Sequence, residues 1–318
     1  MFLGLAHQTG GDLDAAYQYF AGSVASLHKA GHLHFQLVGT MALSDILVAQ
    51  GRLHEAIRTY ERALLFVEAQ GRQVRQDEAS LHVGLGELYF EQGDWARGEG
   101  HLQRAEQLAE EAWTPAIEAR LCTVKARFEA TQGRLKTALD LLNQAEHSSD
   151  RPTHFELRPL AALRTRIWLR QGRLSEALAW VREEGLSADD ECSYRTEFQS
   201  ITLARVRIAE YEGGRAEQAI REAVDLLARL LDKAETDDRN GSVIEILVVQ
   251  ALAFYAQENI PAATQALLRA MTLAQPQGIV RVFVDEGLPM LALLAECLSH
   301  GADPVFVKQL QAAITRIT

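Results

Sequence analysis

The sequence predicts an all-α fold, a right-handed superhelical solenoid of about seven helical hairpins. Three observations carry that prediction. The first is a phrase that returns along the chain: Gln50-Gly51-Arg52-Leu53, Gln92-Gly93-Asp94-Trp95, Gln132-Gly133-Arg134-Leu135 and Gln171-Gly172-Arg173-Leu174. Looser copies stand at Gly10-Gly11-Asp12-Leu13, Gly213-Gly214-Arg215-Ala216 and Gln257-Glu258-Asn259-Ile260. Taking Gly11, Gly51, Gly93, Gly133, Gly172, Gly214 and Glu258 as equivalent, the steps are 40, 42, 40, 39, 42 and 44 residues. Self-similarity at such a period is the mark of stacked repeats. The second observation is a small residue five positions after each copy: Ala16, Ala56, Gly98, Ala138, Ala177, Ala219 and Ala263. The third is apolar residues at helical spacing on both sides, such as Leu81, Leu85, Leu88 and Tyr89 before Gly93, and Leu53, Ala56, Ile57, Tyr60 and Leu64 after Gly51.

Each element follows from the phrase. The glycine ends a first helix, because it tolerates the left-handed conformation that closes one. The polar residue after it starts a second helix, whose early small residue lets the two helices approach closely. Ser44, Gly86 and Ala126 fill the small position seven before the glycine, and Leu47, Tyr89 and Trp168 the large one four before it. This is tetratricopeptide (TPR) logic, at a period longer than the usual ~34 residues. Met1 to His7 has no signal-peptide shape and reads as the clipped first helix of repeat one, inside a larger protein. Thr114-Pro115 and Asp303-Pro304 place a capping residue before a proline at the first helical position. Thr153 to Glu156 and Ser242 to Glu245 fit the capping box, and Asn240-Gly241 reads as a turn. Residues 1–275 form the array, its first hairpin truncated, and 276–318 a helical capping segment continuous with it.

Composition narrows the function. With 318 residues, 47% of them hydrophobic, only 7 prolines and no low-complexity linker, the chain reads as one continuous array. No apolar run approaches the ~20 residues of a membrane span. A formal charge of −11 without a Lys/Arg cluster argues against DNA contact by the chain itself. Asp189 to Glu191 and Glu235 to Asp238 read as solvated connections. Cys122, Cys192 and Cys297, odd in number and far apart, read as small core residues in a reducing compartment. Trp95, Trp113, Trp168 and Trp180 read as core. No G-x-x-x-x-G-K-[ST] loop or H-E-x-x-H motif is present, and Gly84-Leu85-Gly86 lies mid-helix with no strand before it. No catalytic or metal-ligating set is expected, and no enzyme.

The candidate site follows from helical phase. The position six before each glycine should point into the concave groove, and it holds Asp45, Glu87, Arg127 and Arg166 in repeats two to five. Arg120, thirteen before Gly133, joins them. These five form either a polar lining for a small-molecule or peptide ligand, or a ladder of inter-repeat ion pairs such as Glu87 with Arg127. For an anionic ligand, Arg127 and Arg166 are the expected contacts.

The last third carries a more specific pattern. Leu203 to Ala209, Arg239 to Ala253, and Ala274 to Gly287 (A-Q-P-Q-G-I-V-R-V-F-V-D-E-G) with Pro289-Met290 and Leu293-Leu294 resemble the helical-repeat region of MalT-like bacterial transcription regulators, the large ATP-binding LuxR family. The resemblance covers essentially the whole chain and is specific from about residue 200 to 295. It implies a cytoplasmic modular regulator. An N-terminal nucleotide switch would bind ATP, the repeat array would sense a small-molecule inducer or a regulatory protein, and a C-terminal helix-turn-helix would bind DNA. No Walker motif or helix-turn-helix is found here, so no residue of this chain is expected to hold a cofactor or DNA. The alternative function is a generic TPR-type scaffold for protein interaction, without a signalling ligand.

Overall fold

The computed structural model describes residues 1–70, 75–112, 114–148 and 158–317; Trp113 and the Thr153 to Glu156 box lie outside them. Among the described residues there are seventeen α-helices and no strand. Fourteen of them pair as hairpins. The first three pairs are α1 (Phe2–Gly10) with α2 (Leu13–Lys29), α3 (Leu33–Ala49) with α4 (Leu53–Gln70), and α5 (Arg75–Glu91) with α6 (Trp95–Ala112). Next come α7 (Pro115–Thr131) with α8 (Leu135–Ser148), and α9 (Leu160–Arg170) with α10 (Leu174–Glu183). The last two pairs are α11 (Glu197–Gly214) with α12 (Glu217–Thr236), and α13 (Asn240–Ala256) with α14 (Ile260–Ala274). Three further helices follow: α15 (Arg281–Val284), α16 (Leu288–Ser299) and α17 (Pro304–Ile317).

The recurring phrase does what its chemistry predicts. Gly11, Gly51, Gly93, Gly133 and Gly172 all have φ between 71° and 85°. At Gly51 the amide bonds the Val48 carbonyl at 2.9 Å and the next amide, of Arg52, bonds Leu47 at 2.7 Å, the paired pattern of a Schellman cap. Glu258 does the same without being a glycine, at φ 61°. Repeat six departs from the expectation. Gly214 stays helical and Arg215 takes the left-handed position at φ 52°, held by one bond from its amide to the Tyr211 carbonyl. Asp12, Asp94 and Asn259 cap the second helices through their side chains, and Thr114 caps α7. The Asp303 carboxylate accepts the Val305 amide at 2.7 Å ahead of α17.

All seven small residues after the phrase are buried. In the third hairpin the small positions of both helices are glycines. A β-carbon on Gly86 would stand 2.6 Å from Leu102 Cδ2 and 3.2 Å from the Gly98 carbonyl. Gly86→Leu is therefore expected to cost about 1–3 kcal/mol by overpacking. Urea unfolding measures it, and an unchanged midpoint would contradict this register.

Several local expectations need correction. Asn240 and Gly241 open α13 instead of making a turn, and Asp238, at φ 51°, turns the chain. The Ser242–Glu245 capping box does not form: Ser242 donates to Glu197, and Glu245 pairs with Arg166 at 2.6 Å. Nor is Glu235 to Asp238 merely a solvated connection, since Asp237 binds the buried Arg239 and Glu235 binds Arg269. Cys122 and Cys297 are buried, but Cys192 is only half-buried, between α10 and α11. Trp180 is core, whereas Trp95 and Trp168 are half-buried, Trp95 against Phe90 and Phe128.

The array closes on itself. α13 packs against α3, and α15 against α5. Gly241 lies against the Val48 and Ala49 carbonyls, and the Val280 amide donates to the Glu91 carbonyl at 3.0 Å. Repeat seven thus touches repeat two, and the segment after it touches repeat three. The space between them is the candidate site.

Candidate functional site

A cavity of about 1480 Å³ lies inside the closed array, faced by α3, α5, α7, α9, α11, α13 and α15. Which residues face it follows from helix geometry. Offsets of thirteen, six and two before the glycine of the phrase, or Glu258 in repeat seven, differ by seven and four, which falls on one side of an α-helix. The six-before position supplies Asp45, Glu87, Arg127, Arg166, Ile208 and Leu252, all on the cavity wall. The two-before position supplies Ala49, Glu91, Thr131, Arg170 and Glu212, and the thirteen-before position Ser80, Arg120, Ile201 and Glu245. The five sequence candidates Asp45, Glu87, Arg120, Arg127 and Arg166 therefore share one chamber.

Most of their charge is spent inside the wall. Glu87 pairs with Arg127 and, at 3.1 Å, with Arg158, with Arg120 further off at 3.9 Å. Glu91 accepts from Arg127 at 2.5 Å and from Arg281 at 3.1 Å. Arg281 also holds Asp285 at 2.6 Å, and Asp285 accepts the Thr131 hydroxyl at 2.6 Å. On the other side Arg166 pairs with Glu245 at 2.6 Å, donates to Thr202 at 2.9 Å and stacks 3.7 Å from the Phe198 ring centre. Arg205 joins Glu286 at 2.7 Å. Arg127, 8% exposed, and Arg166 thus have carboxylate partners already, so an anionic ligand would have to compete with Glu87, Glu91 and Glu245 for them.

Two groups are different. Arg120 spends its donors on the Tyr60 hydroxyl at 3.1 Å and the Met41 sulfur at 3.6 Å. Asp45 has no hydrogen bond or ion pair among the described residues, and its side chain is exposed to the chamber. Desolvation by the surrounding chamber walls pushes its carboxyl up to about 6; Arg120 opposes the shift and Glu87 adds to it.

The paired carboxylates titrate the other way. Burial alone would raise Glu245, but Arg166 and then Arg205 outweigh it and hold the carboxyl at about 2. Glu91 is held well below its usual range, burial being overcome by Arg281 and Arg127. A depressed carboxyl stabilises the fold above its unfolded value, and that stability is lost as pH falls through the folded one. The array should therefore lose stability between pH 4.5 and about 2, on the order of 3 kcal/mol at most from Glu245. Thermal melts across this range should show the fall flattened in Glu245→Gln.

Sequence reasoning missed Glu91, Arg158, Arg205, Glu245, Arg281, Asp285 and Glu286. Glu245 stands thirteen before Glu258, as Arg120 does before Gly133, and Glu91 occupies the two-before phase, so both were legible. Arg158 precedes α9, and α15 lies past the last repeat, where no repeat phase applies.

Among the described residues no group of three or more His, Cys, Asp or Glu could hold a metal ion, and no helix is long and apolar enough to cross a membrane. The family model of the MalT-like TPR region matches residues 1–300. The chain belongs to this family. Similar proteins of the MalT-like group include the HTH-type transcriptional regulator MalT of Cronobacter sakazakii, 25% identical over 281 residues, 85% of this chain and 29% of that protein. MalT of Serratia proteamaculans is 23% identical over 316 residues, 95% of this chain and 32% of its own length. MalT of Yersinia pestis is 24% identical over 312 residues, covering 95% and 33%. The chain spans about a third of the length of these curated relatives. The matched residues include every residue that lines the chamber.

Proposed function

We propose that this MalT-like TPR region is the sensing domain of a transcriptional regulator, taking a small-molecule inducer or a peptide of a regulatory protein into the chamber. The observation that carries this reading is the closure. Repeats two to seven and the segment that joins them wall the chamber, so an occupant bridging two or more of them would bias the closed arrangement over an open one. A ligand shifts such an equilibrium by its difference in affinity for the two states. The relatives, named as HTH-type transcriptional regulators, support a role in transcription. The chamber wall, with few polar groups left unpaired among half-buried apolar ones such as Met41, Leu252 and Ile279, has the character of a ligand pocket.

The test is a thermal-shift screen of the chain against metabolites and short peptides, repeated on Ala119→Trp. Ala119 faces the chamber, and the indole would fill part of it. Ligand at about 100 times its Kd should stabilise the wild type by about 2.7 kcal/mol, and the plugged variant should lose that gain at unchanged basal Tm. Binding that survives the plug would place recognition elsewhere and overturn the reading.

A further inference from the structure

We infer that the chamber recognises a zwitterion of the amino-acid class, its ammonium on Asp45 and its carboxylate on Arg120. The inference rests on the sensing role proposed above and specifies the chemistry of its ligand.

The argument comes from what is left over. Arg127, Arg158, Arg166, Arg205 and Arg281 each have a carboxylate partner within 3.1 Å. Arg120 does not: its nearest carboxylate, Glu87, stands at 3.9 Å and already serves Arg127 and Arg158. Its donors rest on a phenol and a thioether, both weaker acceptors than a carboxylate. Asp45 is the matching acceptor, exposed to the same chamber without a partner among the described residues.

These two groups stand close together without meeting. Arg120 reaches from α7 to Met41 on α3, and Asp45 lies four residues on from Met41, on the same face of that helix. Side chains so related are separated by about 5–6 Å at their β-carbons. No ion pair within 4 Å joins Asp45 to Arg120 among the described residues, so an acid and a base face the chamber side by side, each short of a partner. A free anion at Arg120 would be repelled by Asp45 and Glu87. A free cation at Asp45 would meet Arg120. A ligand carrying both charges on adjacent carbons answers both groups and adds no net charge beside Glu87, Arg127 and Arg158. Met41, Val48 and Ala49, half-buried on the same wall, offer apolar surface to a side chain.

Titration provides a second readout. Asp45 is surrounded by Tyr60 on α4, Glu87 on α5, Arg120 on α7, Arg158 before α9 and Tyr194 before α11. With its carboxyl raised to about 6, an ammonium must bind the deprotonated form, so affinity should rise from pH 5 to pH 7 and then level.

The experiment is calorimetry and saturation-transfer NMR of the chain with the twenty standard α-amino acids. For each binder, the N-acetyl derivative and the decarboxylated amine are measured alongside. At least one amino acid should bind, and each derivative should bind at least about tenfold more weakly, the loss of one charge-assisted contact. Asp45→Asn should abolish the preference for the free amine and the pH dependence while keeping the preference for the carboxylate. Arg120→Gln should do the reverse. Asp45→Asn changes an exposed side chain at constant shape, and melting curves verify that both variants fold. Amino-acid binding indifferent to both variants would overturn the assignment. So would a chamber that takes only non-zwitterionic members of the metabolite screen, in which case the sensing role stands. A chamber that takes neither amino acids nor any screened compound or peptide would sink both.

Discussion

Replacing Arg239 by alanine is expected to destabilise the protein by about 3–5 kcal/mol, the cost of leaving a buried charge without its partner. Arg239 is 1% exposed at the turn into α13, between Asp237 and Glu197, which it meets at 2.6 Å. Its guanidinium also lies 5.4 Å from the Tyr194 ring centre, and Glu197 takes a further bond from the Ser242 hydroxyl. Burial already raises the Glu197 carboxyl, with Arg239 and Ser242 opposing it. Losing Arg239 raises it further. A raised carboxyl favours the fold when protonated, and that favour is lost as pH climbs. The deficit of the variant should therefore be larger at pH 7 than at pH 5. Urea titrations at both values measure it. Combining Arg239→Met with Glu197→Leu should recover much of the loss, since an apolar pair of similar volume can replace a buried ion pair. A double variant as unstable as the single one would mean that packing, not the stranded charge, sets the cost.

Gly241→Val is expected to cost about 3 kcal/mol, the upper end of overpacking, and to part α13 from α3. Any β-carbon at 241 runs into the Val48 carbonyl oxygen and comes within 2.9 Å of that of Ala49, so backbone must move. Small-angle scattering should report a larger radius of gyration, and hydrogen exchange should quicken at the C-terminal end of α3. Gly22→Ala is the control: nothing lies within 4 Å of a β-carbon there, and the substitution in α2 should stabilise slightly. An unchanged radius of gyration in Gly241→Val would show that α3 and α13 adjust without opening.

The fold was legible because its determinants are local. A glycine at the end of α3 or α5 closes that helix through bonds reaching back at most five residues, so its meaning is readable in a short window. Repeat six marks the limit of that reading. Gly214 and Arg215 compete for one left-handed position, and the sequence favours the glycine while the structure uses the arginine. The phase that placed Asp45, Glu87, Arg120, Arg127 and Arg166 on one wall was also local, since it needs only the helical period. What they do with their charge was not. Glu87 could be paired with Arg127 by reading one repeat ahead, but Arg281 meets Glu91 from 190 residues away. No periodicity connects that pair. Asn240-Gly241 failed for the same reason: the glycine is there for the approach of α3, a distant partner, and not for a bend in its own chain.

The contact between the two ends has a consequence for how the molecule comes apart. In a linear stack each unit leans only on its neighbours, so terminal units peel away first and stability is close to a sum of local terms. Joining residues 91 and 281, beside the packing of α13 on α3, adds a long-range link to that sum. Its entropic cost grows only as the logarithm of the loop it closes, whereas its energetic gain is shared by every unit in between. Between α3 and α15, peeling from either side then requires breaking such a link first. Units from α3 to α15 should consequently exchange their amide protons as one block, with a single midpoint in denaturant, where an open stack would show a gradient from the rims to the centre.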